Sequence, residues 1–138
     1  MKNVLLFAFL ALGLMFTAWS DDDDDHDHDH DHGDVDIEFL EPTDDETIAA
    51  PDDVHVHIRV TAEDEVHDVE IKMHPEDDAS DLIIDFDAHS HESVFNFEED
   101  YDLSSYPSGT EFHIEVKVAK DHEGTEFEEE DIHFSLPE

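Results

Sequence analysis

The chain has 138 residues, with 43 Asp and Glu against 5 Lys and Arg, 13 His, no Cys and a formal net charge of −38. A surface this acidic repels nucleic acid and anionic lipid headgroups and attracts cations and basic proteins. With no thiol available, neither a disulfide nor a thiolate metal site can form, so a metal ion would be held by imidazole nitrogen and carboxylate oxygen.

Lys2 opens the chain and residues 4–19 are an uncharged apolar run. Ala18 and Ser20 place small residues three and one positions before a cleavage point after Ser20. This is the pattern of a secretory signal over residues 1–20. The run is slightly long for a signal core, so an uncleaved anchor is the competing reading. Either way the acidic body is expected outside the cytoplasm: in a periplasm, on the outer cell surface or secreted. Cleavage would leave no membrane span. Lys2 is the only charged residue among the first twenty, so the mature chain is one unit more negative than the whole.

The stretch Phe16-Thr17-Ala18-Trp19-Ser20-Asp21-Asp22-Asp23 resembles the processing site of a bacterial lipoprotein followed by an acidic surface-export tag. Trp19 stands where that pattern has its acylated Cys, and an indole cannot form the thioether.

Asp21 to Asp25 are a pure acid run, after which His26, His28, His30 and His32 alternate with Asp27, Asp29 and Asp31 up to Gly33. With no apolar residue to bury, residues 21–34 cannot offset the entropy of ordering a backbone, and disorder is expected. Imidazole suits Zn²⁺, Cu²⁺ and Ni²⁺, and a flexible chain can wrap several such ligands round one ion. The alternative is a solvated acidic linker. A calcium loop of the EF-hand type starting at Asp27 would end correctly on Glu38, but its turn glycine falls at Gly33, one position late. Ca²⁺ is therefore the less expected ion.

From Val35 the pattern changes to period two, the mark of half-buried strands. Val35, Ile37 and Phe39 alternate with acids. Val54, Val56, Ile58 and Val60 alternate with His55, His57 and Arg59. Val69, Ile71 and Met73 form a third set, Leu82, Ile84 and Phe86 a fourth, and Phe95 and Phe97 a fifth. Phe112, Ile114, Val116 and Val118 alternate with His113, Glu115 and Lys117, and Ile132, Phe134 and Leu136 with His133 and Ser135. Turn residues separate the sets at Pro75 to Asp78, Tyr106 to Gly109 and Asp121 to Gly124, while residues 42–51 read as one long turn. Seven short strands over residues 35–138 predict an all-β domain, an antiparallel immunoglobulin-like β-sandwich.

Val60-Thr61-Ala62-Glu63-Asp64, and Tyr106-Pro107-Ser108-Gly109-Thr110 leading into Phe112-His113-Ile114-Glu115-Val116, resemble small Ig-like domains of bacterial envelope proteins. The Cys pair and the strand Trp of antibody domains are absent. Much of that wider group has no assigned activity, so the resemblance implies a fold and a location.

Strand parity turns His55, His57, His113 and His133 outward. In an Ig-type arrangement the second and fifth strands are neighbours, which would bring His55 and His57 toward His89 and His91 just before the fifth. His113 and His133, on the sixth and seventh strands, would be neighbours, with Glu115 two residues along. Either set offers two imidazoles and a carboxylate to one ion. Exposed His simply covering a sheet is the competing reading, the more so for His67, His74 and His122 at turns or strand ends. Acidity spread evenly over the chain also fits adaptation to high salt, which would leave thirteen His unexplained.

Two functions follow: an exported metal-binding protein that buffers, scavenges or delivers Zn²⁺, Cu²⁺ or Ni²⁺, or an acidic surface domain binding Ca²⁺ or a basic protein partner. An enzyme is not expected. Gly-x-Ser-x-Gly, His-Glu-x-x-His and a phosphate-binding glycine loop are all missing, and Lys and Arg are too few to hold an anionic substrate.

Overall fold

The computed structural model describes residues 33–138, so the expected signal segment, and His26, His28, His30 and His32 with Asp27, Asp29 and Asp31, lie outside the described residues. Among the described residues the secondary structure is all β: β1 (Val35–Glu41), β2 (Glu46–Thr47), β3 (Val54–Ala62), β4 (Asp68–Pro75), β5 (Ile84–His89), β6 (Val94–Tyr101), β7 (Glu111–Ala119) and β8 (Phe127–Ser135). No helix there is long and apolar enough to cross a membrane.

The strands form two sheets, one ordered β1-β3-β6 and the other β2-β8-β7-β4-β5. Period two is the reason they share a core. In β3, Val54, Val56, Ile58 and Val60 are buried while His55, His57 and Arg59 are half-buried on the other face. In β7, Phe112, Ile114, Val116 and Val118 alternate in the same way with His113, Glu115 and Lys117. Both sets, with Val69, Ile71 and Met73 of β4, Phe97 of β6, and Ile132 and Phe134 of β8, belong to one hydrophobic cluster between the sheets. Burying each such side chain gains about 1.5–3 kcal/mol over leaving it in water. That gain offsets the entropy of ordering the strands that carry it.

Three elements differ from the alternation in the sequence. β2 is an eighth strand inside the stretch that reads as a turn, and it runs parallel to β8, so the fold is not wholly antiparallel. Two residues are too few to show a period. β8 begins at Phe127, five residues before the alternating Ile132, and its acidic first half pairs with the end of β7. Backbone ladder bonds decide that pairing, assisted by Lys117 to Glu129 at 3.1 Å, Lys120 to Glu128 at 3.5 Å, and the Lys117 ammonium 4.1 Å from the Phe127 ring centroid. Finally, Leu82 lies outside β5 and is exposed; the strand starts at buried Ile84 and runs on to His89. In the turn before β7, Gly109 takes a φ of 76°, open to glycine at little cost.

Candidate metal centres

Parity and register together place the histidines. Pleating sends alternate side chains of a strand to opposite faces, and antiparallel pairing sets a residue directly opposite its partner. His55 therefore faces Asp100 across β3 and β6, and His57 faces Glu98. His55 Nδ1 lies 2.6 Å from Asp100 Oδ1 and its Nε2 lies 3.5 Å from Glu98 Oε1. The bond to Asp100 favours the imidazolium and raises the His55 pKa above its ordinary value. One ligand atom each from His55, His57 and Glu98 fall within 4.8 Å of one another.

His113 and His133 are direct cross-strand partners, as parity requires. Their rings stack at 4.4 Å with an interplanar angle of 5°. Register adds a third ring that sequence reasoning set aside. His74 of β4 is the partner of His113 on its other side, and it is buried with its ring edge-on to His113 at 5.3 Å. A row His74–His113–His133 thus crosses three adjacent strands. Its nitrogens diverge: His113 Nε2 lies 3.0 Å from Asp131 Oδ2, His133 Nε2 lies 3.2 Å from Glu76 Oε2, and His74 Nδ1 lies 2.9 Å from the carbonyl oxygen of Pro75. Two sets of ligand atoms within 4.8 Å nonetheless share His113, one with His74 and Glu115 and the other with Glu76 and His133.

His89 and His91 do not join His55 and His57. β5 pairs with β4 in the five-stranded sheet, whereas β3 lies in the three-stranded one. His89 is instead the register partner of Asp68 at the start of β4, and His91 follows in the β5–β6 link. There they meet His67 and His122, both of which look isolated in sequence. Ring centroids are separated by 4.6 Å for His89–His91, 5.6 Å for His67–His122, 6.3 Å for His89–His122, and 6.4 Å for His67–His89 and His91–His122. Asp68 Oδ1 lies 2.6 Å from His89 Nδ1 and Glu65 Oε2 lies 3.3 Å from His91 Nδ1.

A scan against protein-family models and a search of curated proteins give no match. What the chain can do is therefore read from these three groups of side chains. Neutral imidazoles beside carboxylates can ligate a transition-metal ion, and the carboxylates can also fix ring orientation from behind.

Of the residues that sequence reasoning left out, His74 was within reach. It follows Met73 on the same outward parity as Glu70 and Lys72, so extending the strand by one residue finds it. His67 and Glu65 precede β4, and His122 sits in the β7–β8 loop; no periodicity links them to residues 89 and 91.

Proposed function

We propose that this chain is an exported, non-enzymatic protein that binds divalent transition-metal ions, Zn²⁺ foremost, then Cu²⁺ or Ni²⁺, for buffering, scavenging or delivery. The observation that carries the reading is the clustering of imidazoles. Each of the nine histidines among the described residues has another histidine ring within 6.4 Å, and every cluster is edged by Asp or Glu. A sheet merely covered with exposed His has no reason to collect all of them into three groups. The acidic surface would concentrate cations round these groups, and the tract from His26 to His32 would add four nitrogens.

The immunoglobulin-like topology belongs to the same proposal. Its support is the pairing of β3 with β6 in one sheet and the sharing of β4, β7 and β8 by the other. Export rests on residues 1–20, whether as a cleaved signal or as an anchor.

Calorimetric titration of the metal-free chain with Zn²⁺ and with Ca²⁺, in molar NaCl, tests the function. Zinc is expected to bind well near pH 7.5 and poorly near pH 5.5, because protons compete for imidazole nitrogen. Replacing His26, His28, His30 and His32 with Asn should weaken zinc binding at least tenfold at the tract's share of sites and leave calcium unchanged. Calcium binding tighter than zinc at pH 7.5 would sink the reading in favour of an acidic surface domain that binds Ca²⁺ or a basic protein.

A further inference from the structure

The three imidazole groups are not equivalent. Among these groups, only that of His67, His89, His91 and His122 brings two ring nitrogens into direct contact: His89 Nε2 and His91 Nε2 are 3.2 Å apart. The far nitrogen of each ring faces a carboxylate, Asp68 for His89 and Glu65 for His91. A neutral imidazole that donates its Nδ1 proton to a carboxylate carries a lone pair on Nε2. Two such lone pairs at 3.2 Å repel, and either a proton held as an N–H···N bond or a metal ion relieves the repulsion. Carboxylate behind and metal in front is the usual setting of a ligating histidine.

The spacing agrees with an ion in that place. At Zn–N distances of about 2.0–2.1 Å, two ligands of a tetrahedral site sit about 3.3–3.4 Å apart. Ring centroids round such an ion would be on the order of 5 Å apart, since each lies roughly 3.2 Å from the metal. Five of the six ring pairs here lie at 4.6–6.4 Å, an expanded version of the same arrangement. A third observation concerns His67. Its Nδ1 is buried without a hydrogen-bond partner, a costly state for a ring nitrogen. Ligand atoms of His67, His91 and Glu65 already fall within 4.8 Å of one another, whereas His89 and His122 must draw in to share the same ion.

From these observations we infer that His67, His89, His91 and His122 close round one zinc-class ion as a four-coordinate site, with Asp68 and Glu65 orienting His89 and His91. The inference deepens the metal-binding reading above and rests on it. The site joins three chain segments: the residues entering β4, the end of β5 with the link that follows it, and the β7–β8 loop. That loop is shaped locally, with Gly124 at a φ of 64° and Asp121 accepting from the Thr125 backbone N–H at 2.8 Å and from the Thr125 hydroxyl. Binding would tie His122 on this loop to the sheet. The His74–His113–His133 row lacks the convergence, because its Nε2 atoms at His113 and His133 face separate carboxylates.

The test uses the full chain with His26, His28, His30 and His32 replaced by Asn, titrated with Co²⁺ and then Zn²⁺. Four-coordinate Co²⁺ absorbs strongly in the visible, six-coordinate Co²⁺ weakly. The expected result is an intense band at one equivalent that zinc abolishes. It should be lost on adding His89→Asn with His91→Asn, and kept on adding His113→Asn with His133→Asn. His122→Asn should weaken binding at least tenfold, about 1.4 kcal/mol. In the unaltered chain, one equivalent of zinc should protect His67, His89, His91 and His122 from diethyl pyrocarbonate, read by mass spectrometry, whether or not any variant folds. The inference is overturned if the band is weak, if it survives loss of His89 and His91, or if zinc leaves those four side chains reactive. In that event a proton shared by His89 and His91 occupies the gap. Zinc binding at the tract or the other two groups would then still stand, whereas an unaltered chain that binds no zinc sinks both readings.

Discussion

Phe112 is the most informative single residue at which to perturb the fold. It lies at the first core position of β7, fully buried, stacked on Phe134 of β8 at 5.2 Å and meeting the Tyr106 ring edge-on at 5.1 Å. Phe112→Ala removes a whole ring from a site held by two strands and a turn, none of which can collapse easily into the space. Substitutions of this kind cost about 3–5 kcal/mol. The two ring pairs add to that, each worth roughly 0.5–1.5 kcal/mol beyond area burial, though in part they are counted already. A domain of this size is stable by about 5–15 kcal/mol, so the loss is a large fraction of the total. Urea unfolding followed by circular dichroism in molar NaCl should show a lower midpoint with an unchanged slope. Melting temperature should fall by about 4–8 °C for each kcal/mol lost. The control is Phe127→Ala, which removes an exposed ring at the start of β8 and the contact of Lys117 above it. It should cost about 1 kcal/mol or less. A Phe112→Ala cost below about 1 kcal/mol, or one no larger than the control's, would refute the argument that the sheets are held by this shared core.

Two further outcomes follow from the charges. Arg59, Lys72, Lys117 and Lys120 each have a carboxylate oxygen within 3.6 Å, yet acids outnumber bases many times over. Melting temperature should therefore rise from low to molar NaCl, since repulsion is screened over about 10 Å at 0.1 M and about 3 Å at 1 M; a flat profile in the presence of EDTA would count against uncompensated repulsion. At His55 the bond to Asp100 raises the pKa in the folded state. Its stabilisation is thus fully present below the unfolded value near 6.5 and is lost as pH rises through the folded value. A proton NMR titration should place the His55 midpoint above 6.5 and Asp100→Asn should bring it down, whereas a native midpoint at or below 6.5 would show that the bond does not form.

The sequence by itself determined the strands that carry the core. Period two is a property of the extended chain, so Val54, Val56, Ile58 and Val60 declare a buried face without reference to any partner, and the same holds for Phe112, Ile114, Val116 and Val118. Parity also made His113 and His133 outward-facing, and as consecutive strands they pair directly. Tertiary structure decided what parity cannot express. β2 is two residues long and exists only because β8 offers it an edge. The choice of β4 as the partner of β5 carried His89 and His91 away from His55 and His57. It placed them beside His67, from the residues before β4, and His122, from a loop 31 positions further along than His91. Such a cluster has no spacing in sequence, because its members come from separate chain segments that meet only where the strands of one sheet end together.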